Sequence, residues 1–188
     1  MAPLPLLLLA LACGGGPPPQ AAPLRLLSDA ESVAVVRPAL APGEVLARTP
    51  AAGRMGSAAA ATLVVTEQAG GRWAARLLRG DGGPTALPVD LAPPPWRAGP
   101  ALSLDVDGDA IYELVLMFED HGERRPASSL ARPGGKSLPP LVGEPATGSF
   151  RTVVWREAAG AWARDPALEA KVAGLAGPLP VQQALLGR

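Results

Sequence analysis

The chain has 188 residues, with 17 Lys and Arg against 17 Asp and Glu and a formal net charge of +0. That balance lacks the broad basic footprint of a nucleic-acid binder, so no nucleic-acid partner is expected. Hydrophobic residues make up 48% but aromatics only 4%. Much of the apolar content is therefore alanine, which buries little area at ~25 cal/mol per Å².

Met1 to Cys13 reads MAPLPLLLLALAC, an apolar run ending in small residues. This is the shape of a secretory signal, and it is short of the roughly 20 apolar residues that span a bilayer. Ala10-Leu11-Ala12 fits an A-x-A cleavage site. The same residues followed by Cys13 resemble the lipobox of bacterial lipoproteins, in which the cysteine is lipidated and becomes the mature N-terminus. Cys13 is the only cysteine, so no intrachain disulfide can explain it. The resemblance implies a signal peptide at 1–12 and membrane attachment through a lipid on Cys13. It also implies a place in the bacterial cell envelope, at the outer membrane or surface; plain secretion is the alternative. Residues 13–23, rich in Gly and Pro, suit a tether. Residues 24–188 are enough for one domain.

The domain reads as mainly β: a small antiparallel sheet of hairpins with a short C-terminal helix. Val33-Ala34-Val35-Val36 is a β-branched run stopped by Pro38. Residues 38–60 read as irregular, with a short strand around Glu44 to Arg48. TLVVTEQAGGRWAARLL, from Thr62, has the pattern of a hairpin turning at Ala69-Gly71. The prolines of PPPWRAGP, at 93–100, place that stretch in a loop. Glu113 to Phe118 is an apolar strand with little alternation, so both its faces should be covered, with Trp73 or Trp162 nearby. Residues 121–150 form a long, proline-broken excursion. TVVWREAAGAWARDP is a second hairpin, turning at Ala158-Gly160. Asp165 caps a helix that starts at Pro166 and ends at Gly174 or Gly177, and VQQALLGR adds another turn. Residues 64–74 align without gaps on 153–163. This reads either as a true repeat or as two unrelated hairpins.

One stretch carries ion chemistry. In Asp105-Val106-Asp107-Gly108-Asp109, carboxylates alternate through a tight turn. Ile111 supplies a carbonyl at the seventh position and Glu113 a carboxylate at the ninth. Calcium takes six to eight hard oxygens in this kind of arrangement. An EF-hand is excluded, because its twelfth position is Leu116 and a strand follows. The turn resembles the calcium loop of FG-GAP, or integrin α-type, propeller repeats, in which DxDGDG leads straight into a strand. Ala110 stands where that family has glycine. The resemblance covers about a dozen residues and implies a Ca²⁺ site on a propeller-blade-like sheet. A plain polar turn, its carboxylates capping backbone amides, is the competing reading.

Other candidates fail. Gly134-Gly135-Lys136-Ser137 lacks the upstream glycine of a phosphate loop. His121, near Ser128 and Ser129, has no G-x-S-x-G elbow. Trp73, Trp96, Trp155 and Trp162 read as core rather than as a sugar platform. The expected function is a noncatalytic envelope lipoprotein: a calcium-steadied β module that binds or scaffolds a protein or glycan partner. The alternative is an accessory or degenerate enzyme component using 121–150 as a lid.

Overall fold

The computed structural model describes residues 18–68, 72–80, 82–91, 96–120 and 150–187. Cys13, residues 69–71 and the excursion at 121–149 lie outside them. Among the described residues, no helix is long and apolar enough to cross a membrane.

In chain order, β1 (Gln20–Ala22) and β2 (Arg25–Leu26) precede helix α1 (Asp29–Val36) and a 3₁₀ turn. Then come β3 (Val45–Leu46), β4 (Ala51–Met55), β5 (Ala58–Gln68), β6 (Arg72–Leu78), β7 (Thr85–Leu87) and β8 (Trp96–Asp105). β9 (Glu113–Asp120), β10 (Phe150–Ala158), β11 (Ala161–Arg164), α2 (Pro166–Val172) and α3 (Pro178–Leu186) complete the fold. The strands form two sheets. One has the order β1-β8-β9-β10-β11, and the other β2-β4-β5-β6-β7 with β3 also on β5. Every pairing is antiparallel. The fold is mainly β, as expected; the two sheets, of five and six strands, do not show propeller-like blades.

Strand alternation explains how so lean a chain makes a core. Leu63 and Val65 of β5, Ala75 and Leu77 of β6, Leu114, Leu116 and Phe118 of β9, and Val153 and Trp155 of β10 share one cluster between the sheets. Side chains one residue out of step point the other way. Val115, Met117 and Val154 pack instead under α2 and α3, against Leu168, Val172, Val181 and Leu185. Val64 packs with Leu27 and with Val36 of α1. The result is four layers, in the order α1, second sheet, first sheet, α2 with α3. This is why β9 has no polar alternation: Leu114 to Phe118 are fully buried, covered on both faces. Phe118 meets the edge of Trp73 at 5.4 Å, as expected of that strand's surroundings.

Several expectations are corrected. Val33–Val36 is helical, because Ser28 and Glu31 form a reciprocal capping box that outweighs the β-branched run. Within 38–60, β4 and the start of β5 are ordered strands. Trp96–Pro100 belongs to β8 rather than to a loop. The ladder shifts register between Ala98 and Ala101, so Pro100, which has no N–H to donate, sits at a bulge. The end of the expected tether, Gln20–Ala22, pairs along Ser103–Asp105 as β1. Two C-terminal helices stand where one helix and an extra turn are expected, Asp165 capping the first through Ala167 and Leu168 N–H.

The aligned hairpins are not equivalent. Ala158 pairs with Ala161 across a two-residue turn, whereas Gln68 pairs with Arg72 across three residues. A one-residue difference flips the strand's faces. Val64 faces α1, while its counterpart Val153 faces the inter-sheet core. The packing matches two unrelated hairpins.

Candidate metal centre

The acidic stretch is the turn between β8 and β9. Asp105 ends β8, fully buried, while Asp107 and Asp109 are exposed. One carboxylate oxygen from each of the three lies within 4.8 Å of the others, so the cluster could hold a metal ion. Three negative charges at that spacing repel by about 1 kcal/mol per pair in water and by ~3–4 kcal/mol at an effective dielectric of 20. Something must offset the charge. The backbone supplies one part, the ion-pair network another.

Asp105 Oδ1 accepts the Gly108 N–H at 2.8 Å, and Oδ2 accepts the Ala110 N–H at 3.1 Å. Asp109 Oδ1 accepts the Ile111 N–H at 2.7 Å. These are local aspartate turns. They fold the loop tightly and force Gly108 to φ 78° and Ala110 to φ 66°. The alanine therefore carries the left-handed strain expected where the resembled family has glycine. A carboxylate has about four acceptor sites, so Asp105 keeps capacity for a cation.

Arg156, from β10, supplies a resident positive charge. Its guanidinium lies 3.1 Å from Asp107 Oδ2 and 2.9 Å from Glu113 Oε1, and its Nε is 3.7 Å from Asp165 Oδ2 at the cap of α2. The Nε–Glu113 contact is an ion pair without hydrogen-bond alignment, since Nε has no hydrogen-bond partner among the described residues. Glu113 is turned towards Arg156 and towards the Val106 N–H, which Oε2 accepts at 3.0 Å. Burial pushes the Glu113 carboxyl above its usual range, with the Val106 N–H and Arg156 offsetting part of the rise. The structure thus brings Asp105, Asp107 and Asp109 together and places Glu113 on a guanidinium beside them. Ile111 follows in the turn, half-buried, its N–H on Asp109.

The second sheet holds the turn from behind. Gly56 and Tyr112 exchange backbone hydrogen bonds of 2.8 and 3.1 Å in an isolated bridge. The Arg54 guanidinium stacks 4.6 Å over the Tyr112 ring and donates to the Ala110 carbonyl at 3.4 Å. Ser103 Oγ donates to the Arg54 carbonyl at 2.5 Å. Ser57, next to Gly56, donates its N–H and its hydroxyl to Glu157 Oε2, at 2.6 and 2.9 Å. Arg79 donates to Glu157 Oε1 at 2.8 Å. Sequence reasoning missed Arg54, Gly56, Glu157 and Arg156. Nothing in their local pattern differs from a surface ion pair or an ordinary turn glycine.

No other feature competes as a site among the described residues. Trp73, Trp155 and Trp162 pack in or against the inter-sheet core, as does Trp96. His121, Ser128, Ser129 and the Gly134–Ser137 stretch fall outside the described residues. Comparison with protein-family models, with curated proteins and with solved structures finds no match to the chain.

Proposed function

We propose that the protein is a noncatalytic β module steadied by Ca²⁺ at the β8–β9 turn, held in the bacterial cell envelope through a lipid on Cys13 and binding or scaffolding a protein or glycan partner. The observation that carries the ion is the approach of three carboxylates within 4.8 Å in one tight turn. Hard oxygens on alternating residues suit calcium better than softer metals, which favour His and Cys. The FG-GAP-like pattern of Asp105-Val106-Asp107-Gly108-Asp109 supports the same reading. Envelope placement rests on the leader and Cys13, and it agrees in chemistry with a weak site, because calcium outside the cytosol is plentiful.

A second reading has its own observation. Arg156, with Asp107 and Glu113, already neutralises part of the turn, and a turn balanced in this way needs no ion. Titration calorimetry with CaCl₂ separates the two. The calcium reading predicts binding with Kd on the order of 10⁻⁴ to 10⁻³ M, lost in Asp107→Ala and tightened in Arg156→Gln. Absence of binding at millimolar calcium leaves the self-balanced turn.

A further inference from the structure

We propose that the Gly56–Ser57 turn, seated on the buried Glu157 carboxylate, is a conformational latch: when Glu157 releases Ser57, the β8–β9 turn opens as a local unit while both sheets stay folded. Three observations support this. First, the far side of the acidic turn is joined to the second sheet by one isolated bridge, Gly56 to Tyr112, outside either sheet's ladder. Its two hydrogen bonds are supplemented there by the Arg54 contacts. Second, Gly56 packs directly on Glu157. It sits at φ 60°, packed so closely that a Cβ would lie 2.1 Å from Glu157 Oε2 and 2.6 Å from the Trp162 ring. The glycine and the Glu157 carboxylate are therefore in close contact. Third, Glu157 is itself a conditional support. It is 6% exposed, comes from β10 of the opposite sheet, and among the described residues its carboxylate is held by Ser57 and Arg79. Around it, Arg79 Nε and Trp162 Nε1 are buried without a hydrogen-bond partner among the described residues. A buried polar group supported in this partial way is a place where a fold opens first.

The ladders on either side are of a different kind. β8–β9 and β9–β10 pair over long registers with fully buried side chains. Local opening at Tyr112 thus has a low cost compared with breaking Val115 or Val154 out of the core. Strain stored at Ala110, with φ 66°, is relieved by the opening and favours it. The inference holds whether or not the turn takes an ion. If it does, the latch also governs how firmly the ion's ligands are placed.

Amide hydrogen exchange on the full chain at neutral pH, without added calcium, tests this. Glu157→Gln keeps the shape and removes the charge. The Gly56 and Tyr112 amides should then exchange about tenfold faster or more, as expected when hydrogen bonds to a charged acceptor are lost, with Val115 and Val154 unchanged. Ser57→Ala, an exposed substitution that removes one hydroxyl, should move the same two amides by a smaller factor and serves if Glu157→Gln does not fold. Unchanged Gly56 and Tyr112 exchange in the folded variants would overturn the latch. So would acceleration of Val115 and Val154 in step with them, since Glu157 would then support the whole sandwich.

Discussion

Replacing Gly56 by alanine should cost about 2–5 kcal/mol, from a conformational and a steric term. The first is conformational: Gly56 holds φ 60°, which costs an L-residue roughly 1–2 kcal/mol. The second is steric. The new methyl would lie 2.1 Å from Glu157 Oε2 and 2.6 Å from Trp162 Cζ2. Trp162, 8% exposed in the core, has little room to retreat, and the Glu157 carboxylate can retreat only by leaving Ser57 and Arg79. Overpacking of this kind costs about 1–3 kcal/mol, and displacing the carboxylate from its donors adds to it. Gly160 is the matched control: it holds φ 79° but has nothing within 4 Å of its virtual Cβ. Gly160→Ala should therefore cost only the conformational ~1–2 kcal/mol. Urea unfolding midpoints, with unchanged slope, give both numbers. If Gly56→Ala loses no more than Gly160→Ala, the tight packing of the latch is refuted.

Ala110→Gly should stabilise the fold by about 0.5–1 kcal/mol, the left-handed penalty less the entropy of an added glycine, read from the same denaturation curves. Acid should weaken the pairing of Glu44 with Arg76. The guanidinium beside it, aided by Gln68 and the Ala41 N–H against the effect of burial, holds the Glu44 carboxyl at about 2, below its ordinary value of 4.5. With the folded value depressed, the contribution is complete above about pH 4.5 and is lost as pH falls towards about 2. Glu44→Gln should flatten that limb of a stability–pH curve, and an unaltered limb would contradict the pairing. Metabolic labelling with a fatty acid should mark the wild type and fail on Cys13→Ala; an unlabelled wild type refutes lipidation.

The parts of the fold legible in the sequence were those where local pattern and tertiary demand agree. The unalternated run at Glu113–Phe118 implied cover on both faces, and α2 with α3 on one side and the second sheet on the other supply it. Asp165 followed by Pro166 gave the start of α2. Val33–Val36 misled because β-branched residues suggest a strand, yet Ser28-Asp29-Ala30-Glu31 already held the S-x-x-E signature of a capped helix. Trp96–Pro100 misled because proline argues against a strand, and only the register shift on β9 shows the bulge that tolerates it. The likeness between the hairpins depended on composition. Turn length, which sets the face each valine presents, differs by one residue.

The acidic turn was legible because its carboxylates alternate within one short stretch, and Ala110 adopts a positive φ there. What surrounds it was not legible. Arg156 reaches the turn from β10, and Arg54 and Gly56 reach it from the other sheet. No short-range spacing encodes such pairings. They also alter the roles within the motif. Asp105 has both oxygens on backbone N–H groups, so removing it damages the turn itself. Exposed Asp107 is the cleaner position at which to separate ion binding from folding.

The most direct test of a calcium-steadied module is the thermal midpoint of the wild type and of Asp107→Ala, each measured in calcium and in chelator. At tenfold Kd, binding to the folded state alone contributes roughly 1.4 kcal/mol. For a chain of this size that is a rise of about 3–6 °C. The wild type should show this rise, and Asp107→Ala no difference between the two conditions. A wild-type midpoint indifferent to millimolar calcium would contradict a calcium-steadied module.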